Sequence, residues 1–375
     1  MDFSFSPEQT LLQDSVTRFI QNDYSFAARR KLIESEIGFG RGNWQNFADL
    51  GWLALPFDES VGGFGGTPVE TMILMEAFGK GLVVEPYVST TMLAGRCLAD
   101  GGSQAQQEQV LSELMLGSKL AALAYVEPQS RFNPADVKTE AKGKGDYKIS
   151  GHKGVVLGGP TADYLLVSAR TAGKQRDAAG ITLFLIDANA PGVTRRDYAT
   201  IDGHRASEVT LDGVNVPADR VIGQPGEGLE LLQRTLDYGT LAVGAEAVGA
   251  MEVMYKATVE YCQTREQFGQ PIGKFQVLQH RMVDMFMEHE QTKSLLYMAA
   301  MRLDEGYSVE ASKAVSALKV RVGKGGRFVG QGAIQLHGGM GMTDELAVGH
   351  YFKRVTAIDT LFGNADYHLK RYAHQ

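Results

Sequence analysis

The stretch from Leu229 to Gln263 contains no proline. A helix of about 37 residues across it would be roughly 55 Å long. No such helix is stable alone in water, so it implies a bundle. The methionine-rich stretch "RMVDMFMEHEQTKSLLYMAAMRL" (Arg281 to Leu303) supplies a second long helix. Its methionines read as core filler. Between the two lies "TREQFGQPIGKFQVLQHR" (Thr264 to Arg281). Phe268, Gly269, Pro271 and Gly273 fit no helix interior, so the chain places a glycine-punctuated, charged elbow there.

The first third also reads as helices. Ser6 is an N-cap, Pro7 fits the first helical position and Gln9 completes a capping box. "LGWLALPFDESVGGFGG" (Leu50 to Gly66) reads as a loop, and helical patterns resume from Pro68 to Leu116. The texture then changes. "LAALAYV", "YLLVSA" and "ITLFLID" are short apolar runs bounded by Gly, Pro, Asp and Asn. "SEVTLDGVNV" adds alternation and an Asp-Gly turn. The expected class is α+β with three parts. These are a helical domain over 1–116, a small barrel-like β domain over 117–225 and a four-helix-bundle domain over 226–375.

Composition narrows the function. A net charge of −7 argues against a nucleic-acid binder. No apolar run reaches membrane-spanning length. "MDFSFSPEQT" has no secretory pattern, and the two cysteines, Cys97 and Cys262, lie far apart. The expected setting is cytoplasmic, with free thiols and no membrane partner. Most glycine clusters carry no nucleotide signal. "VGGFGG" follows no strand–helix unit, and "GKGGRFVG" (Gly323 to Gly330) fits close helix packing. No GxxxxGK[ST], HExxH or GxSxG pattern occurs, and the eight scattered histidines suggest no metal site.

The elbow has the chemistry of a pyrophosphate site. An arginine offers a planar donor fork, and glycine lets backbone approach a ligand closely. "TREQFGQPIGKFQ" resembles the FAD-contacting elbow of the acyl-CoA dehydrogenase family, TRxxFGxxIxxFQxxQ. "QLHGGMG" (Gln335 to Gly341) resembles that family's second flavin segment, QxxGGxG. "MDFSFSPEQTLLQDSVTRF", "LGWLALPFDESVGGFGG" and "VNVPADRVIG" are similar to its first helix, its N-domain loop and the strand closing its β domain. The resemblance implies FAD as cofactor. Arg265, Phe268 and Gln276 would reach the FAD of a neighbouring subunit, with the backbone of Gln335, Leu336, His337, Gly338 and Gly339 at the same end. It further implies an acyl-CoA substrate, electron-transfer flavoprotein as acceptor, and a homo-oligomer or a heteromer with a sibling subunit.

Two departures stand out. The family's TEPxAGSD pattern appears as "VEPQSRFNPAD", which puts Val126 at the threonine's flavin-contacting position. Its KxWITN strand appears as "KGVVLGG", with Val155 and Leu157 replacing the tryptophan and threonine. The family's reaction needs a carboxylate to take the substrate's α proton. Phe362 of "LFGNAD" stands where that glutamate is usual, and Gly239 stands at the alternative position. These losses resemble members that work as unlike pairs, in which one subunit can be silent. Glu246 is the candidate base in this chain. It is the only charge in "LAVGAEAVGAM" (Leu241 to Met251) and lies two turns beyond Gly239, displaced by roughly 10 Å along the axis. The alternative is a carboxylate held in a salt bridge.

Overall fold

The N-terminal helix starts as the capping signals require. Ser6 Oγ accepts from the Gln9 N–H at 3.2 Å, and Gln9 Oε1 accepts from the Ser6 N–H at 3.0 Å. The computed structural model describes residues 4–375, so the first three residues of "MDFSFSPEQT" lie outside the described residues. The early helices are α1 (Pro7–Asp23), α2 (Phe26–Glu34), α3 (Arg41–Asp49), α4 (Pro68–Gly81), α5 (Arg96–Gly101), α6 (Gln104–Gln106) and α7 (Ser112–Met115). Wider, π-wound turns precede α5 over Val88–Gly95 and link α6 to α7 over Gln107–Leu111.

The chain divides into two units. One holds the chain up to Lys31, Thr67–Val83 and Thr240–Gln375; the other holds Leu32–Gly66 and Val84–Gly239. The helices before Gly117 are thus shared between the two.

The second unit contains an eight-stranded sheet. Its strands are β1 (Ala121–Ala124), β2 (Glu140–Lys144), β3 (Asp146–Leu157), β4 (Tyr164–Arg170), β5 (Ile181–Asp187), β6 (Val193–Ala199), β7 (Arg205–Val216) and β8 (Val221–Ile222). The order is β6-β7-β3-β2-β4-β5-β8, with β1 parallel to β4. β4 and β5 are buried along nearly their whole length, which explains their unbroken apolar runs. Ile149, Val167, Phe184, Val209 and Val214 are core residues of this sheet. The Asp212–Gly213 pair, expected as a turn, instead lies within β7. The β3–β7 register slips between Ile149 and Gly151, opposite it. Gly213, at φ +61°, absorbs that bulge while β7 continues.

The C-terminal helices are long. α8 spans Gly228–Thr264, 37 residues. The short strands β9 (Glu266–Gln267) and β10 (Gln270–Pro271) follow, then α9 (Gln276–Asp304), α10 (Val309–His337), α11 (Ala347–Thr360) and α12 (Ala365–His374). α10 packs against α9, α11 and α12. Its glycines make this central place possible. A Cβ on Gly325 would come 3.0 Å from Thr292 of α9, and one on Gly330 would overlap Phe352 of α11. "GKGGRFVG" is therefore a packing stripe, as its helical setting implied. No helix among the described residues is long and apolar enough to cross a membrane.

Candidate functional site

The elbow between α8 and α9 is a two-residue β-hairpin. β9 and β10 pair antiparallel, and the residues between them, Phe268 and Gly269, have φ of +54° and +77°. Two positive φ angles in a two-residue loop match a type I′ turn, which glycine accepts and phenylalanine resists. The hairpin is closed by the Ile272 N–H donating to the Arg265 carbonyl at 2.8 Å. Gly273 is required as well, because a Cβ there would lie 2.8 Å from the Cys262 carbonyl oxygen. The product is an outward-facing tip. Phe268 is 90% exposed, and its ring meets only the edge of Phe275, with centroids 6.1 Å apart. Arg265 and Gln276 are exposed beside it.

α10 ends in the second segment. His337 is buried and stacks on Tyr261 of α8, with ring centroids 4.4 Å apart. Its Nδ1 donates to the Ala333 carbonyl at 2.9 Å. That stack brings the ends of α8 and α10 together, so the elbow and Gln335–Gly339 occupy one end of the bundle. Leu336 is buried and Gln335 is exposed. Gly338 turns the chain at φ +61°, and a Cβ on Gly338 or Gly339 would meet nothing within 4 Å. Among the described residues the Arg265 guanidinium makes no hydrogen bond or ion pair, and with open glycine backbone at the same end of the bundle it fits the pyrophosphate of a dinucleotide.

In the sheet unit, half-buried Val126 accepts a hydrogen bond from the Gly154 N–H at 2.9 Å. Glu127 and Lys153 form a buried ion pair of 2.8 Å at the base of this contact. Burial opposes ionisation of Glu127, but Lys153, Gln129 and the Lys138 N–H outweigh it and bring its carboxyl down to about 2.

The acid positions are resolved in a different way. Gly239 is buried within α8. Phe362 lies in the turn between α11 and α12 at φ +58°, followed by Gly363 at φ +117°. Lys319 of α10, fully buried, clasps this turn. Its Nζ donates to the carbonyls of Asp359 at 3.0 Å and Gly363 at 2.5 Å. His368 Nε2 donates to the Phe362 carbonyl at 3.1 Å. The ammonium thus satisfies a carbonyl at the C-terminal end of α11. Burial pushes the Lys319 amine down to about 7 and the His368 imidazole down to about 3.

Glu246 is 2% exposed, and both its oxygens accept from Arg354 of α11, at 2.5 and 2.6 Å. A Cβ on Gly79 would overlap the Glu246 carbonyl, so α4 is pressed against the same point of α8. This is the geometry of the salt-bridge alternative, with the partner inside the chain. The sequence carried no signal for it, because Arg354 lies 108 residues away. Nor did it mark Lys319 or His368. Among the described residues no cluster of His, Cys, Asp and Glu could hold a metal.

Comparison with known proteins agrees with the fold. The acyl-CoA dehydrogenase N-terminal, middle and C-terminal domain models match residues 6–118, 122–214 and 226–375. The chain belongs to the acyl-CoA dehydrogenase family. It is 28% identical to a probable acyl-CoA dehydrogenase, YngJ of Bacillus subtilis, over 93% of this chain and 92% of that one. It superposes on a chain of the ChsE4–ChsE5 complex of Mycobacterium tuberculosis with TM-score 0.90 and 28% identity, covering 100% of this chain and 98% of that one. It superposes on PigA with FAD and proline with TM-score 0.93 and 25% identity, again over 100% and 98%. The family and the FAD-bound PigA neighbour make FAD the cofactor.

Proposed function

We propose that this chain is a flavin-binding subunit of an acyl-CoA dehydrogenase whose α-proton acceptor is none of Phe362, Gly239 and Glu246. The observation that carries this reading is the Glu246–Arg354 pair. With both oxygens engaged by one buried guanidinium, Glu246 serves as the structural partner of Arg354 rather than as a free carboxylate. Phe362 and Gly239 have no proton-accepting side chain at all. The base then comes from another chain of a heteromeric assembly; the similar ChsE4–ChsE5 protein is itself a complex.

FAD, when bound, accepts the hydride leaving the substrate's β carbon. Arg265, Phe268 and Gln276 hold its pyrophosphate and adenine end across a subunit boundary, with Gln335, Leu336, His337, Gly338 and Gly339 lining the same end. Val126 lies at the flavin face of the β domain. Electron-transfer flavoprotein is the natural acceptor. A second reading, a silent partner that only completes a sibling's site, rests on the same missing bases.

The test is anaerobic addition of acyl-CoA to the purified, flavin-loaded chain, alone and with a co-purifying partner. The reading expects the oxidised flavin band to persist alone and to fall with the partner. Rapid bleaching of the chain alone would overturn it. A chain that never retains flavin would favour the silent partner.

A further inference from the structure

Among the described residues, five non-glycine residues hold a left-handed backbone: Leu82, Arg131, Val155, Phe268 and Phe362. Arg131 and Val155 both belong to the sheet unit, and Val155 follows Gly154, whose N–H donates to the Val126 carbonyl. Val155, at φ +50°, is β-branched and half exposed, a marked outlier for such a residue. It sits in a bulge, since the β3–β7 register slips between Lys153 and Val156. Bulges of this kind re-aim side chains beside functional sites. A Cβ on Gly154 would meet nothing within 4 Å, so the crest of the bulge is open.

Arg131, in the turn that follows Glu127, holds φ +48°. The residue before it is pinned. Ser130 Oγ donates to the Glu127 carbonyl at 2.9 Å and accepts from the Glu127 N–H at 3.1 Å. Below both segments lies the Glu127–Lys153 pair. Lys153 also donates to Ser168 Oγ at 3.1 Å, and Glu127 accepts from the N–H groups of Lys138 and Thr139. One buried network therefore fixes the feet of two strained segments. Strain of this kind persists only where the surroundings over-determine it, and it gathers at ligand sites.

Nothing in the fold calls for arginine at 131. Glycine or asparagine would take the backbone without penalty. The side chain is exposed, and among the described residues its guanidinium makes no hydrogen bond or ion pair. A planar fork held on a rigid, strained lip is suited to a carboxylate or a phosphate.

We propose that Arg131 determines specificity by recognising an anionic group of the acyl-CoA ligand, a phosphate of the CoA moiety or a carboxylate at the end of the acyl tail. The assignment rests on the acyl-CoA reading above. The test is equilibrium binding of four probes, CoA, 3′-dephospho-CoA, butyryl-CoA and glutaryl-CoA, to the wild-type protein and to Arg131→Gln, Arg131→Lys and Arg131→Gly at matched flavin content. Arg131→Gln should weaken the recognised probes about tenfold or more. Arg131→Lys should recover part of that loss. Arg131→Gly should lose the same affinity while raising Tm, because it relieves the backbone. A loss on CoA but not on 3′-dephospho-CoA assigns the 3′-phosphate. A loss on glutaryl-CoA but not on butyryl-CoA assigns the tail carboxylate. A uniform loss assigns the pyrophosphate. If Arg131→Gln and Arg131→Gly bind all four probes as the wild type does, the assignment is wrong. A wild-type protein that binds none of them overturns the acyl-CoA reading itself.

Discussion

Phe268 and Phe362 use the same backbone device for opposite ends. Each is a phenylalanine at φ between +54° and +58°, and each is followed by a glycine with positive φ. At the elbow the turn throws its aromatic ring and Arg265 outward into exposed positions. At the α11–α12 turn, Lys319 and His368 seize three carbonyls and hold the backbone still. The first is built to reach a ligand or another chain. The second fixes the backbone around Phe362, whose side chain carries no acid.

That contrast can be broken at several points. The largest stability effect is expected at the buried ion pair. Glu246→Ala takes from the buried Arg354 its bidentate carboxylate, and should cost about 3–5 kcal/mol. Glu246→Ala/Arg354→Met should recover much of that loss in chemical denaturation. If the single variant is as stable as wild type, the pair does not hold the bundle.

Next comes the elbow. Arg265→Ala should weaken FAD retention by roughly 10- to 100-fold, the effect of one charge-assisted donor pair. Arg265→Lys should fall between, because it keeps the charge without the fork. Flavin content after gel filtration decides. Equal retention in all three proteins would remove the elbow from the cofactor site.

The clasp at the second turn should appear in the pH dependence of stability. His368 has its folded pKa depressed from 6.5 to about 3. Between those values the unfolded chain binds more protons, so stability should fall as pH drops from 6.5 towards 3. Lys319, depressed from 10.5 to about 7, adds a second rise in stability between pH 7 and 10.5. Lys319→Met should abolish that upper slope and shrink the lower one, because burial and then the Lys319 charge depress His368. Urea midpoints across pH give both slopes.

The smallest effect sharpens the elbow's half of the contrast. Phe268→Gly should relieve about 1 kcal/mol of left-handed strain and raise Tm slightly. If the ring serves the cofactor, the same variant should hold FAD less well. A variant that is more stable with unchanged flavin content would make Phe268 incidental.

Local signals in the sequence were strong where one segment decides its own shape. The Ser6 capping box, the proline-free run of α8 and the apolar runs of β4 and β5 all fold as written. The glycines of "GKGGRFVG" were readable as packing because their helical setting was continuous. Asp212–Gly213 misled because a bulge and a hairpin need the same positive φ, and only the partner strand distinguishes them. The catalytic region was least legible. Glu246 looked like a solitary buried acid because its neighbours in sequence are apolar and its partner arrives from another helix. Lys319 and His368 act through carbonyls, which no side-chain pattern reveals. The left-handed backbone of Arg131 and Phe362 was not legible, because that strain belongs to the main chain.

The central claim is that this chain keeps a base-positioning turn without a base. The direct test is Phe362→Glu, mixed anaerobically with butyryl-CoA beside the wild type, at equal flavin content and with the oxidised flavin band followed in time. A general base contributes about 10²- to 10⁴-fold. The account predicts negligible bleaching in the wild-type chain alone and an acceleration of that order in the variant. A wild-type chain that bleaches rapidly alone, with Phe362→Glu no faster, would contradict it.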